Sequence, residues 1–272
     1  MAQVGLHDFD RAQRLLRERA GIVLGTHKRE MALRKLALRA QRLDLAGVVD
    51  YLDHLERDAE APEWDHFVNT FTINHTAFFR EAHHFEILAD WARARSGPLS
   101  IWSCAASTGE EPYSIAMALC DAIPGAAGRV KILASDIDTQ AVEHARRGVY
   151  PLERAKPITP ERLRKYFFRG RGAQAGMVRV KPEICGMVEF RGFNLAAPVW
   201  PADLRFDAVF CRNIMIYFDK ELQTEILGRF AKVIRPGGLL FAGHSENFTY
   251  LSSAFKLRGQ TVYARAAGGR RA

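Results

Sequence analysis

Five polar segments of this chain carry the residue types that hold a charged, hydroxyl-bearing ligand. The first, Cys104-Ala105-Ala106-Ser107-Thr108-Gly109-Glu110-Glu111, joins small residues that let the backbone approach a ligand to a pair of acids, and Gly109 adds conformational freedom. It contains neither GxGxxG nor a lysine, so it is not a dinucleotide fingerprint or a P-loop, and its acids would repel pyrophosphate. They suit a cofactor with a positive centre and hydroxyls, which S-adenosylmethionine offers. Thr108 and Glu111 also have the spacing of a capping box, and both roles can hold at once. In Ser135-Asp136-Ile137-Asp138 a carboxylate is placed to accept hydrogen bonds from ribose hydroxyls, while Asp138 is equally placed to cap the following helix. Asn194-Leu195 and Arg212-Asn213 are two more polar strand ends, and an apolar run such as Ala208–Cys211 emptying into Arg-Asn forces charge and amide to find partners at the edge of the core. Partners of a purely structural kind are the plain alternative there. In Asn74-His75-Thr76-Ala77-Phe78-Phe79-Arg80 the two aromatics anchor the segment, leaving Asn74, Thr76 and Arg80 to close over a ligand. His75, His83 and His84 lie close together without a zinc spacing or a nearby cysteine, so no metal is expected.

These segments need a scaffold that brings them together. Residues 1–72 read as a small helical domain: apolar positions recur at helical spacing from Phe9 through Leu16, a turn falls at Gly21–Gly25, and Thr26 is the expected cap of a second helix. Gly47–Leu55 and Trp64–Phe71 add shorter helical patterns, and residues 73–98 supply a linker and a connecting helix. From Leu99 the pattern alternates between strand and helix to the end of the chain, the signature of an α/β fold with a mainly parallel sheet covered on both faces. Strands are expected at Leu99–Cys104, Val130–Ser135, Val188–Phe193, Phe206–Cys211 and Leu239–Gly243, the last after a turn at Pro236-Gly237-Gly238, with a short antiparallel pair at Phe255–Leu257 and Thr261–Ala264. An interval of about 150–187 breaks the rhythm with a capped helix from Thr159, a turn GRGAQAG and a strand-like Met177–Lys181, and reads as an inserted subdomain. The closing AAGGRR reads as a disordered tail. In such an open sheet ligands bind outside the C-terminal strand ends, where four of the five polar segments fall.

Composition narrows the class. The chain of 272 residues is 48% hydrophobic and 26% charged, ordinary values for a protein with a real core. Its four cysteines form no CxxC pair, no apolar run spans a bilayer and no secretory signal precedes the first helix, so the cytoplasm is the expected compartment. The net charge of +8 is concentrated at residues 26–43, with six basic residues against Glu30, and at residues 145–181, with eleven against Glu153 and Glu161. Such fields favour an acidic partner. Lys28, Lys35, Arg39 and Arg42 share one helical arc, with Leu33, Leu36, Ala40 and Leu43 on another, so one face is expected to pack while the other stays positive.

The stretches NHTAFFRE (74–81), CAASTGEEPYSIA (104–116), ASDID (134–138), RGFNL (191–195), FCRNIMIYFDK (210–220), PGGLLFAGHSENF (236–248) and FKLRGQTVYA (255–264) resemble the CheR family of chemoreceptor glutamate methyltransferases, and the basic helical unit is similar to that family's N-terminal domain. The resemblance implies an all-helical domain joined to a methyltransferase α/β domain that carries a three-stranded antiparallel insertion. It implies a protein-glutamate O-methyltransferase of receptor adaptation and signal transduction, acting as a monomer with S-adenosyl-L-methionine and no metal. Carried over residue by residue, cofactor contacts fall on Asn74, Thr76, Arg80, Glu111, Asp136, Asn194, Leu195, Arg212 and Asn213, with Arg80 and Tyr217 near the transferred methyl. The implied partner is the cytoplasmic helical bundle of methyl-accepting receptors, met by Lys28, Lys35, Arg39 and Arg42, in receptor arrays. Some members also dock a receptor C-terminal peptide on the insertion. RGRGAQAGMVRV (169–180) resembles that subtype, with Arg171 between the two glycines as a departure. Two competing readings are a nucleic-acid methyltransferase, disfavoured because the basic helix lacks interleaved aromatics for base stacking, and an adaptor that keeps only the fold.

Overall fold

The computed structural model describes residues 2–266, with side chains from Leu6 onward; the AAGGRR tail beyond Ala266 lies outside the described residues. Four helices come first: α1 (Ala2–Ala20), α2 (Arg29–Arg42), α3 (Val48–Arg57) and α4 (Glu63–Phe71). Thr26 does not cap α2. It opens a 3-10 turn, Thr26–Lys28, and no side chain caps either element. Helix α5 (His83–Arg93) then leads into β1 (Leu99–Ser103), α6 (Glu110–Ala122), the single turn α7 (Ala126–Arg129), β2 (Val130–Asp136) and α8 (Thr139–Arg147).

The inserted region follows α8. It comprises β3 (Val149–Pro151), α9 (Pro160–Tyr166), β4 (Phe167–Arg169), β5 (Met177–Val180) and the short α10 (Pro182–Cys185), with the strands in the antiparallel order β3-β5-β4. Thr159 caps α9 by accepting from the Arg162 amide. The main sheet resumes with β6 (Val188–Gly192), β7 (Phe206–Cys211), α11 (Lys220–Val233), β8 (Ile234–Ala242) and the antiparallel pair β9 (Phe255–Gly259) and β10 (Val262–Arg265). Strand β8 begins before Pro236-Gly237-Gly238, which interrupts its register with β7 instead of preceding it as an open turn.

The main sheet has the order β6-β2-β1-β7-β8-β10-β9, parallel from β6 to β8 and antiparallel at β10 and β9. Order reverses direction between β1 and β7, the switch point at which such sheets bind ligands. Side-chain alternation decides which layer each residue joins. Trp102, Cys104, Val209, Cys211, Leu240 and Ala242 face a cluster that includes Phe9, Leu16, Leu36, Leu52, Phe67 and Phe71 of α1–α4 and Ile226, Leu227 and Phe230 of α11. Leu99, Ile101, Ala208, Phe210, Leu239 and Phe241 face a second cluster built on α5, α6, α8 and the insertion. The helical domain therefore completes one covering layer of the sheet. Among the described residues no helix is long and apolar enough to cross a membrane.

Candidate active site

The loop after β1 turns tightly into α6. Ser107 (φ 48°) and Gly109 (φ 97°) both take left-handed backbone, and a Cβ on Gly109 would meet the Ala145 Cβ and the Tyr150 hydroxyl at 2.8 Å, so only glycine fits there. The capping box that the spacing allows does not form. Gly109 is the N-cap residue, and the Thr108 hydroxyl donates to Glu110 Oε2 at 2.7 Å. Successive helical positions then divide the two acids. Glu110 pairs with Arg154 of the insertion at 2.6 Å, whereas Glu111 lines a cavity, accepts from the Ser103 hydroxyl at 2.7 Å and pairs with Arg212 Nη1 at 2.8 Å.

At the end of β2 the two aspartates separate in role. Asp138 caps α8, accepting from the Gln140 and Ala141 amides, and its other oxygen accepts from the Thr72 hydroxyl at 2.6 Å and the Asn74 amide at 2.7 Å. Asp136 lines the cavity and accepts from the Ser107 amide at 2.8 Å and the Asp138 amide at 2.9 Å. Burial raises its pKa from 3.8 to about 6, although backbone N–H donors oppose that shift.

Arg212 at the end of β7 is buried and holds the site's far wall. Besides pairing with Glu111, its Nη2 donates to the Arg80 carbonyl at 2.6 Å and lies 3.4 Å from Glu81. Burial is the largest influence on the Glu81 carboxylate and works against it, but the Arg212 charge together with the His244 amide and the other neighbouring donors outweighs burial and lowers its pKa. The His84 ring is neutral, its pKa lowered to about 4 by burial and then by Arg212. Glu81, His83 and His84 bring potential ligand atoms within 4.8 Å of one another, yet the Arg212 guanidinium already supplies the cation beside Glu81.

Asn213 is left-handed (φ 59°), and a Cβ on Gly243 would strike its Nδ2 at 2.4 Å. The turn from Asn213 is clamped by Glu246, a residue that carried no role in the sequence reading. Its Oε2 accepts from the Asn213 amide at 2.9 Å and the Gly243 amide at 2.6 Å; its Oε1 accepts from Ile214 at 3.0 Å and Met215 at 2.8 Å. Four converging N–H groups make an anion nest for one buried carboxylate, and the turn they fix carries Tyr217. The position of Glu246 inside GHSENF was the only available signal, since three of the four amides it accepts from, those of Asn213, Ile214 and Met215, lie far away in the chain and leave no local pattern.

The resulting cavity encloses about 750 Å³, counting its open mouth, and brings Asn74, Thr76, Arg80, Glu111, Asp136, Arg212, Asn213 and Tyr217 together. Asn194 and Leu195 line a smaller adjoining apolar compartment that shares Ile22, Ala105, Asp136, Ile137 and Ile214 with it. Several of these side chains are already engaged. Asn74 bridges Asp138 and the Ser107 hydroxyl, and Asn194 donates to the Arg19 carbonyl at 2.8 Å while accepting from the Ala196 amide. Arg80 donates to the His75 carbonyl at 2.9 Å. Ile22 was missed because it lies in the loop after α1, which reaches the site only through tertiary packing.

Two members of the expected basic face are engaged within the chain. Lys35 donates to the Thr70 carbonyl at 2.6 Å, and half-buried Arg39 is bidentate to Glu63 at 2.7 and 2.6 Å, with Tyr51 donating to the same carboxylate. Leu43, expected to pack, is 36% exposed, because α2 ends one residue earlier. Lys28 and Arg42 are the members of the four whose side chains make no hydrogen bond or ion pair among the described residues.

Comparison with known proteins places this geometry in a lineage. Residues 74–264 match the family described as "CheR methyltransferase, SAM binding domain", and residues 7–72 match "CheR methyltransferase, all-alpha domain". The chain is 54% identical over 256 residues to the "Chemotaxis protein methyltransferase" of Escherichia coli (strain K12), covering 94% of this chain and 90% of that protein. It is 48% identical over 262 residues to the "Chemotaxis protein methyltransferase 2" of Pseudomonas aeruginosa, covering 95% and 93%. With both domains matched and identity of this extent across nearly the whole length, the chain belongs to the CheR family of chemotaxis methyltransferases.

Proposed function

We propose that this site methylates glutamate side chains of methyl-accepting chemotaxis receptors by alignment alone, yielding glutamate 5-O-methyl esters in receptor adaptation. The observation that carries the reading is the convergence of Arg80, Glu111, Asp136 and Tyr217 on one cavity at the switch point of the sheet. The donor, S-adenosyl-L-methionine, supplies when bound a methyl group already activated on a sulfonium, and leaves as S-adenosyl-L-homocysteine.

The residues fit that donor. Asp136 uses two acceptor positions on backbone amides, and an ionised carboxylate has about four, so it retains capacity for ribose hydroxyls. Phe193, Leu195, Ile214 and Phe218 form the apolar compartment suited to an adenine ring. Asn74, Glu111, Arg212 and Asn213 shape the walls, and Thr76 adds a hydroxyl at the lining.

An acceptor glutamate is ionised at neutral pH and is itself the nucleophile, so no strong general base is needed. Positioning then removes much of the barrier. Arg80 orients the acceptor carboxylate through a contact loose enough to leave it nucleophilic, and Tyr217 offers an aromatic face beside the positive centre. Lys28 and Arg42 draw in the acidic side of the receptor bundle, placing the protein at cytoplasmic receptor arrays. The insertion presents β3 and β4 as outer strands, with Phe168 on β4 53% exposed, and a receptor C-terminal peptide adds there as a further strand.

Methyl-labelled donor tests the reading. Label entering a receptor fragment as an alkali-labile ester, and not entering tRNA, is the expected result. Cofactor binding without transfer would leave an adaptor, and label in tRNA would move the substrate class to nucleic acid.

A further inference from the structure

Phe79 (φ 52°) and Glu81 (φ 57°) hold left-handed backbone on either side of Arg80. Residues other than glycine adopt that conformation uncommonly and at a cost, so the pair persists only where surrounding contacts over-determine the turn. Contacts hold it on both flanks. The Phe79 amide donates to the Ser114 hydroxyl of α6 at 2.9 Å, and that hydroxyl donates in turn to the Glu110 carbonyl at 2.6 Å. On the other flank Glu81 Oε1 accepts from the His244 amide at 3.3 Å, Oε2 lies 3.4 Å from Arg212 Nη2, and the Glu81 carbonyl accepts from the His84 amide at 3.0 Å. Arg212 closes the arrangement by donating to the Arg80 carbonyl at 2.6 Å. Buried Phe78 anchors the entry to the turn against Tyr150 and Phe167. Arg80 lines the cavity, whereas Glu81 and Ser114 are not among its lining residues.

We infer that Glu81 and Ser114 are positioning residues for methyl transfer: they fix the turn from which the Arg80 guanidinium meets the acceptor carboxylate, an inference that rests on the function proposed above. The Arg80 side chain is long and tied by a bond to the His75 carbonyl, so the placement of its guanidinium depends on the backbone that carries it. A displacement of about 1 Å in a group that aligns reactants costs on the order of a hundredfold in rate. Ionised Glu81 sets the buried Arg212 guanidinium between two carboxylates, with Glu111 on the cavity side at 2.8 Å, and so keeps Arg212 against the Arg80 carbonyl. Glutamine cannot stand in for it. One of the two terminal atoms becomes an N–H donor, and both positions face donors. Ser114 has the matching task on the other flank, and alanine there removes the acceptor of the Phe79 amide.

The test uses the full-length protein with Glu81→Gln, Ser114→Ala and Arg80→Ala, and with Arg80→Ala combined with each of the first two. Transfer of labelled methyl to a receptor fragment gives kcat, and calorimetric titration with S-adenosyl-L-homocysteine gives product affinity. Glu81→Gln and Ser114→Ala should each lower kcat about tenfold or more, with product affinity held within about twofold. In the Arg80→Ala background either substitution should change kcat by less than about twofold, because the group it positions is already gone. Parent kcat in either single variant would overturn the inference. So would losses that multiply in the combined variants, since the two residues would then act apart from Arg80. A loss of product affinity equal to the loss of turnover would overturn it as well, by showing that they support the cavity. Ser114→Ala removes one oxygen from a helix and keeps the test decisive if Glu81→Gln does not fold. Parent turnover in Arg80→Ala, or no label from the unsubstituted protein on any receptor fragment, strikes the underlying reading itself and is separable from the other outcomes.

Discussion

Asp136, half-buried at the cavity, and Glu246, buried beneath its turn, are both carboxylates held by backbone amides, and what surrounds each assigns a different task. Asp136 keeps free acceptor capacity toward the cavity. Its replacement by alanine should weaken cofactor binding by about 1.5–3 kcal/mol, the range for losing hydrogen bonds to a charged group; calorimetry giving the parent affinity would remove it from the site. Its pKa also carries a pH signature. Because the folded value is raised from 3.8 to about 6, its contribution to stability is complete below 3.8 and is lost as pH rises through 6. The ionised form is the better acceptor of ribose hydroxyls, so cofactor affinity should increase as pH rises from 5 to 7, with a midpoint near 6. A pH-independent affinity over that interval would show that the carboxylate does not meet the ligand. Glu246 instead spends both oxygens on four backbone amides. In Glu246→Gln one oxygen becomes an N–H donor facing donors, so unfolding free energy should drop by about 2–3 kcal/mol, and cofactor affinity should fall with it as the Asn213–Tyr217 turn loosens. Lower stability with unchanged affinity would mean that strand packing alone holds the turn.

Helix α2 displays the difference between a periodic pattern and a surface. The arc of Lys28, Lys35, Arg39 and Arg42 is real in the sequence, yet α4 packs alongside and converts its middle members into structural donors: Arg39 to Glu63 and Lys35 to the Thr70 carbonyl. Charge steering should therefore reside in Lys28 and Arg42. A Lys28→Glu, Arg42→Glu double variant should raise the receptor KM several-fold at low ionic strength and approach the parent at high salt, with cofactor affinity untouched. Receptor turnover that ignores salt in both proteins would dismiss the steering role. Arg39→Glu belongs to another class of experiment. It sets two carboxylates against each other beside Tyr51 and should lower the melting temperature regardless of receptor.

At the scale of the whole chain, the helical domain is part of the sheet's own core. Phe9, Leu16, Phe67 and Phe71 share one apolar cluster with Trp102, Val209 and Leu240. Polar links cross the same boundary: Arg17 to Asp219 at 2.6 Å, Asn194 to the Arg19 carbonyl, Asn69 to the Thr139 hydroxyl at 3.1 Å and Thr72 to Asp138. Thermal unfolding followed by near- and far-ultraviolet circular dichroism should give one coincident transition, and deletion of residues 2–71 should leave an aggregation-prone protein because an apolar sheet face is uncovered. Two well-separated transitions, or a monodisperse truncated chain with normal cofactor affinity, would mean that the helices only decorate the sheet.

Strand-helix alternation from Leu99, the apolar runs around Ala134 and Phe210 and the polar residues that end them are local patterns, so the parallel sheet and the position of its ligand-binding edge were legible residue by residue. The family motifs added the antiparallel pairing of the insertion, which its short strands do not declare on their own. What each polar group does there depended on partners far away in the chain. The spacing of Thr108 and Glu111 permitted a capping box, but Arg212, one hundred and one positions later, claims Glu111 for the cavity wall. Asp136 and Asp138 were equivalent in sequence until Ser107 reached one and Thr72 and Asn74 the other. Glu246 acquires its role only when β7 and β8 lie side by side and aim their loop amides at one point. Periodicity is a property of neighbours along the chain, whereas the pairing of a buried charge is set by whichever group the completed fold brings within hydrogen-bond reach.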